Sequence, residues 1–458
     1  MNRSLSLLAA LALAGCTMIP DYERPAPPVP DAFPGEATAG AAAADLEWRG
    51  FLLDERLRAV VEQALAGNRD LRIAALNVER VGALLRIQRA GLTPGIGVQA
   101  AGQRSRLPEQ MTESGEAETV ERDAVEVGFL SWEIDLFGRI RSLSASALEQ
   151  YLATEASERA ARSALVAATA SSWLRLAADL ESLRLAEATV AAQLDALDMI
   201  RASRDAGVAS DLELRQAESQ IEAARVSRSE IAGALSVDRH ALELLLGGPL
   251  APELEPDGLA ALAGTAEIAA GLPSEVLLGR PDILAAEHRL RAANADIGAA
   301  RAAFFPRLSL TAALGTLAPG VSDLFGSGTR TWRVEPLIQT PIFAGGGLRA
   351  NLRATKLERE IAVALYEKAI QTAFAEVADA LALRATLAEQ RAAQDALVAA
   401  LEETLRLSEE RFRAGIDSYL GVLVAQQALY RAQQASVQLL LAERANRIVL
   451  YKALGGGA

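Results

Sequence analysis

Carboxylates and guanidinium groups stand beside a glycine twice in this chain. The first copy reads Arg204-Asp205-Ala206-Gly207-Val208-Ala209-Ser210-Asp211-Leu212, with Glu213 following. The second begins at Arg411 and continues through Arg413-Ala414-Gly415-Ile416-Asp417-Ser418-Tyr419-Leu420. At a narrow opening such groups do ionic work: acids repel one another and attract cations, arginines latch them, and charge then governs passage. A plainer role exists for Asp211 and Asp417, since an acid in the first turn of a helix is stabilised by roughly 0.3–1 kcal/mol. Covalent and metal chemistry find little material. Two histidines, four methionines and one cysteine in 458 residues leave no soft-metal or His-based site. His240 and His288 fall in helical sequence remote from Cys16 and read as ordinary packing residues. Gly345-Gly346-Gly347 lacks the Lys-Ser/Thr pair of a phosphate-binding loop and reads as a hinge. No nucleophile–base pair stands out either, so the residues describe no enzyme, and neither metal nor cofactor is expected. The formal charge of −13 offers no basic face to nucleic acid.

The elements that position the two glycines are helices. Each copy interrupts helix-forming sequence that runs roughly 70 residues before the glycine and about 40 after it. Gly207 and Gly415 supply the left-handed residue that closes one helix. Ser210 with Glu213 has the capping-box spacing that opens the next. Two long helical hairpins therefore turn at these tips, over residues 139–247 and 345–454. The first arm would be roughly 100 Å long, far beyond an ordinary globular helix. Hydrophobic residues make up 51% but aromatics only 4%, a mix that favours closely packed long helices over a bulky aromatic core. Leu165, Ala168, Ser172, Leu176 and Leu180 drift around the helix, which suits an element with neighbours on both sides, as in a tube. No stretch after the N-terminus has about 18 apolar residues free of charge, so no transmembrane helix is expected.

At the N-terminus, Asn2-Arg3, an apolar run to Leu13 and then Leu13-Ala14-Gly15-Cys16 have the shape of a secretory signal over residues 1–15. The last four residues match the bacterial lipobox motif. That resemblance implies cleavage before Cys16 and attachment of a diacylglycerol and an N-acyl lipid to it. Thr17, where Asp would signal retention in the inner membrane, favours the outer membrane. Residues 16–50 read as a lipid-anchored extended segment, rich in proline from Pro20 to Pro34 and low in complexity from Ala39 to Ala44.

A first repeat then occupies 51–250. Two helices precede Thr93-Pro94. Ile96, Val98 and Ala100 then alternate with Gly97, Gln99 and Ala101. After a polar stretch from about Arg104 to Glu121, Val125, Val127 and Phe129 alternate with Glu126 and Gly128, and the run continues through Trp132, Ile134 and Leu136. These read as antiparallel strands over about 95–136, with charge confined to one face. A connector covers 251–275, and a second repeat occupies 276–458, with strands at about 307–342. Landmarks keep nearly constant offsets: Asp70 to Asp282 and Pro94 to Pro306 are both 212, and Gly207 to Gly415 is 208. A duplicated unit follows, each copy a helix, two strands and a long helical hairpin. Trp132 and Trp332 fit anchoring at a membrane interface and strand-end packing equally well.

The fold class is thus mostly α with a small β part. Strands in a bilayer must close into a barrel, and single-chain bacterial barrels begin at about eight strands. This chain offers about four, so either the strands lie outside a membrane or several chains pool them. Several motifs carry a family resemblance: the lipobox, Pro20-Asp21-Tyr22-Glu23-Arg24-Pro25, Trp132-Glu133-Ile134-Asp135-Leu136-Phe137-Gly138-Arg139, and Arg280-Pro281-Asp282-Ile283 with Ala286-Glu287. Ala292-Ala293-Asn294-Ala295-Asp296-Ile297-Gly298, Ala302-Ala303-Phe304-Phe305-Pro306 and the two tips complete the set. Over essentially the whole chain the sequence resembles the outer-membrane efflux factors, the TolC-like family, most closely its lipoprotein (NodT-type) branch in RND-type multidrug efflux systems. The resemblance implies a homotrimer in outer-membrane lipid, with a twelve-stranded β-barrel continuing into a periplasmic α-helical barrel. It also implies a periplasmic adaptor protein and an inner-membrane RND-type pump as partners. The protein would be a passive conduit for small, drug-like molecules.

In that family the tips close the tunnel. Glu213, six residues after Gly207, stands where related proteins often carry an acid, and Leu420, five after Gly415, matches an apolar constriction. Val424 and Gly421 are uncharged where relatives carry acids. The candidate periplasmic gate is therefore Leu420, Glu213, Asp211 and Asp417, with Arg411 and Arg413 as partners. Two rival readings are a type I protein secretion channel and a periplasmic structural coiled-coil lipoprotein. The lipobox and proline strap favour the small-molecule branch over the first, and the second leaves four amphipathic strands unexplained.

Overall fold

The computed structural model describes residues 17–33, 46–268 and 274–457. The signal sequence, Cys16, Pro34 and the Ala39 to Ala44 run lie outside the described residues. Eleven main elements follow in order: α1 (Glu55–Gly67), α2 (Arg69–Ala90), β1 (Ile96–Leu107), β2 (Glu118–Ile134), α3 (Arg139–Asp205), α4 (Asp211–Leu246), α5 (Pro281–Ala302), β3 (Arg307–Ala318), β4 (Arg330–Gln339), α6 (Gly347–Arg413) and α7 (Tyr419–Ala453). The fold is mostly helical with a small sheet. Local chemistry explains the boundaries. The Asp54 side chain accepts from the backbone N–H groups of Arg56 and Leu57, both at 3.0 Å, and opens α1. Asn68 does the same for α2 through the Leu71 N–H at 2.9 Å. Gly345 and Gly346, both at positive φ, turn the chain into α6.

The described residues form two compact units. One comprises 77–155 and 285–367 with the N-terminal residues 17–26. Those N-terminal residues lie along α5: Asn294 donates to the Pro20 carbonyl at 2.8 Å, and Arg301 to that of Met18 at 3.2 Å. Tyr22 and Arg24 donate to Glu287 on the same helix. Burial alone would raise the Glu287 carboxyl, but Arg291 and Arg24 outweigh it and hold the group below its usual range. The extended segment is thus strapped to α5 by partly buried polar contacts. His288 also differs from a plain packing residue, since its ring hydrogen-bonds Glu149 at 2.6 Å.

The sheet of this unit has the order β1-β2-β3-β4, antiparallel throughout. Its register sorts the side chains. Ile96, Val98 and Ala100 line up with Phe129, Val127 and Val125, and these in turn with Ala312, Leu314 and Thr316 and with Val334, Trp332 and Arg330. That face is apolar from Ile96 to Ala100 and across Phe129, Val127 and Val125, and turns polar beyond them at Arg330, Arg104 and Glu121. The other carries Gln99, Glu126, Thr311, Arg333 and Glu335. In β2 the apolar positions change from odd to even numbers between Phe129 and Trp132. A bulge there, with Ser131 at φ 66, inserts one residue and keeps Trp132 and Ile134 on the apolar side. The strands reach further into polar sequence than expected, β1 to Leu107 and β2 from Glu118. Ladder hydrogen bonds form whatever the side chain, and Arg104 pairs across the strands with Glu121 at 3.2 Å. Neither β1 nor β4 has a second neighbour among the described residues, so both sheet edges are open.

The second unit comprises 27–33, 46–76, 156–268, 274–284 and 368–457. Its core holds Trp173, whose indole N–H donates to the Leu254 carbonyl at 2.9 Å, and a stack of Phe51 on Tyr451 at 4.0 Å. The ends of α1 and α4 meet at Gly67 and Gly247. A Cβ on Gly67 would lie 2.2 Å from the Leu246 carbonyl oxygen, so only glycine allows this approach. Arg280 is buried and held by Asp282, Glu376 and the Ala453 carbonyl. His240 is exposed on α4 rather than packed, because the buried face of the helix's C-terminal end is taken by Leu242 and Leu246. No helix among the described residues is long and apolar enough to cross a membrane.

Candidate functional site

Both glycine tips belong to the second unit, and their backbones close in the same way. Gly207 and Gly415 take φ of 74° and 70°, in the left-handed region. The N–H of Val208 donates to the Ser203 carbonyl at 2.8 Å, and that of Ile416 to Arg411 at 3.0 Å. These six-residue closures satisfy carbonyls that the helix end would otherwise leave free. The next helices open differently. Ser210 and Glu213 form a reciprocal capping box: the Ser210 N–H donates to the Glu213 carboxylate at 2.8 Å, and Ser210 Oγ accepts from the Glu213 N–H at 3.3 Å. Ser418 makes no side-chain cap, and Gly421 stands where the reciprocal acid would be. Glu213 is therefore engaged within its own turn.

Each tip is spanned by an ion pair. Arg204, in the last turn of α3, reaches Asp211 in the first turn of α4 at 3.0 Å. Arg411, near the end of α6, holds Asp417 through two bonds of 2.5 and 3.1 Å. That guanidinium keeps the Asp417 carboxyl below the usual carboxylate range, and Asp417 raises Arg411 in return. Arg413 does not join Asp417; it pairs with Glu409 one turn back at 2.8 Å. The groups stand in solvent, where such pairs contribute little stability. Their geometric effect is to brace the turn.

Beneath the charges lies one apolar cluster that joins both hairpins. Leu197, Ile200, Leu214 and Ile221 come from the first, and Tyr419, Val422 and Leu423 from the second, with Phe412 against them. Phe412 and Tyr419 meet edge to face at 5.1 Å. Burial pushes the Tyr419 hydroxyl up to about 12. Leu420 does not enter this cluster. It is 45% exposed, as are Val208, Leu212, Ile416 and Val424 to greater extents. Sequence reasoning named Leu420 and missed Tyr419, although Tyr419, Val422 and Leu423 have the spacing of one buried helix face. It quoted Arg204 but did not name it as the partner of Asp211. Among the described residues no group of three or more His, Cys, Asp or Glu could hold a metal ion.

Paired glycine-closed hairpins in a chain that also carries a small amphipathic sheet find a direct counterpart in known proteins. A sequence model of the outer membrane efflux proteins matches residues 60–248 and again 272–456. The chain belongs to the outer membrane efflux protein family. This efflux protein is 44% identical over 469 residues to the toluene efflux pump outer membrane protein TtgC of Pseudomonas putida, covering 100% of this chain and 96% of the relative. It is 42% identical over 461 residues to the outer membrane protein OprJ of Pseudomonas aeruginosa, covering 99% and 95%. Among solved structures, the open state of the MtrE outer membrane channel of Neisseria gonorrhoeae superposes with a TM-score of 0.88 at 36% identity, covering 96% of this chain and 98% of that one. The efflux protein is an outer-membrane channel component of an export system.

Proposed function

We propose that three copies of this efflux protein pool their strands into one twelve-stranded barrel and their long hairpins into a helical tunnel below it. The observation that carries this reading is the four-stranded sheet, largely apolar on one face, charged on the other and, among the described residues, open at both edges. A lipid-exposed edge cannot stay unpaired, and four strands are too few to close alone. The twofold match of the family model supports a duplicated unit, with repeats at 51–250 and 276–458 around a connector at 251–275. On the same reading residues 1–15 are removed, and Cys16 carries the diacylglycerol and N-acyl lipid that anchor the 16–50 segment. The partners would be a periplasmic adaptor and an inner-membrane RND-type pump, and the protein itself does no chemistry. Relatives named for toluene, solvent and antibiotic efflux favour small, drug-like cargo over protein.

The gate is placed at the six tips of the trimer. Asp211 and Asp417, braced by Arg204 and Arg411, would shape each turn, and Arg413 and Glu213 would hold the helix ends. Leu420, exposed in a single chain, has a face free to pack against equivalent tips of other copies. Native mass measurement of the detergent-purified protein tests the assembly. A species of three chains is expected, and a protein that stays monomeric at every concentration would sink the proposal.

A further inference from the structure

Two glutamates and an arginine stand together on the polar face of the sheet. Glu126 stands on β2, Arg333 and Glu335 on β4, with β3 between them. In register, Glu126 faces Gly315, and Arg333 faces Ala313. These are small residues, so the Glu126 and Arg333 side chains meet over β3 with little beneath them. Arg333 Nη2 lies 2.5 Å from Glu126 Oε2, and its Nε lies 3.7 Å from Glu335 Oε1. Glu126 is 12% exposed and Arg333 40%. Directly behind, on the other face, stand Val125, Val127, Leu314 and Trp332.

We infer that Glu126, Arg333 and Glu335 line the pore of the barrel and set its preference between cations and anions. The inference rests on the proposed trimeric barrel. Once the sheet closes in lipid, the apolar face must turn outward, because charge on the lipid side is costly, and the cluster then turns inward. Each copy carries two carboxylates against one guanidinium, a local surplus of one negative charge. Threefold symmetry sets three such clusters at one level, forming a ring of the kind that selects ions. Neutralising Arg333 doubles the surplus, and neutralising Glu126 abolishes it. Charges roughly 10 Å from the pore axis, screened over about 10 Å at 0.1 M salt, change the cation-to-anion permeability ratio on the order of threefold.

The test is the reversal potential of the full-length protein in planar bilayers under a potassium chloride gradient. Arg333→Gln should raise the potassium-to-chloride permeability ratio about threefold, and Glu126→Gln should lower it by a similar factor. The double exchange Glu126→Arg with Arg333→Glu keeps the net charge and the pairing, and should leave the ratio near that of the parent. Glu121→Gln, on the outward face, should not move it. Conducting variants of Arg333 and Glu126 with an unchanged ratio, or with shifts of the same sign, overturn the inference. A parent protein that gives no conductance at all overturns instead the barrel reading beneath it.

Discussion

At the scale of single residues, the two tips are chemically alike but not energetically alike. The first carries a complete capping box and the second carries none. Ser210→Ala should therefore cost about 1 kcal/mol of local stability, and Ser418→Ala far less. Amide exchange in the first turns of α4 and α7 reads the difference directly, and equal protection changes would contradict it. The exposed Arg411–Asp417 pair leads to a second expectation, because solvent pairs contribute little whereas apolar packing between copies excludes water. Leu420→Ala should raise the conductance of the closed channel more than Asp417→Ala, and equal conductance in the two variants would count against an apolar gate. The glycines and the Ser210–Glu213 spacing were legible in the sequence because each acts within one turn. Arg204 and Tyr419 were not, since the pairing of Arg204 with Asp211 and the inward face of Tyr419 depend on how the turn redirects the next helix.

At the scale of elements, the strands and long helices were readable from their periods, but two features needed three dimensions. The shift of apolar positions in β2, from Val125, Val127 and Phe129 to Trp132 and Ile134, is visible as a pattern, yet only pairing with β3 identifies it as a bulge. The limits of β1 and β2 were misjudged because Arg104 and Glu121 looked like loop residues, although cross-strand pairing suits them. Between α3 and α4, Asp179 faces Asp238. Burial and that second carboxyl push Asp179 up to about 7, with Arg175 opposing the shift. The unfolded chain releases this proton near pH 3.9, so the folded form binds it more tightly. Stability should fall as pH rises from about 4 to 7 and level off above. Asp179→Asn should remove that slope and raise stability at pH 8 by on the order of 1 kcal/mol, after allowance for partial solvent exposure. Melting curves at pH 5 and pH 8 check it; a variant that parallels the parent at both values would refute the assignment.

At the scale of the whole molecule, the described sheet has two open edges. A ring of three chains removes both, because β1 of one copy can pair with β4 of the next until the third closes on the first. An open-ended array would leave edges exposed and grow without limit. Cysteine pairs, one at Gln99, Ala101 or Gln103 on β1 and one at Thr331, Glu335 or Leu337 on β4, test this directly, with single-cysteine variants as controls for Cys16. Oxidation of the membrane-embedded protein should give covalent dimers and trimers and nothing larger for the pairs in register. Monomers alone for every pair, or a ladder that continues past the trimer, would contradict the account.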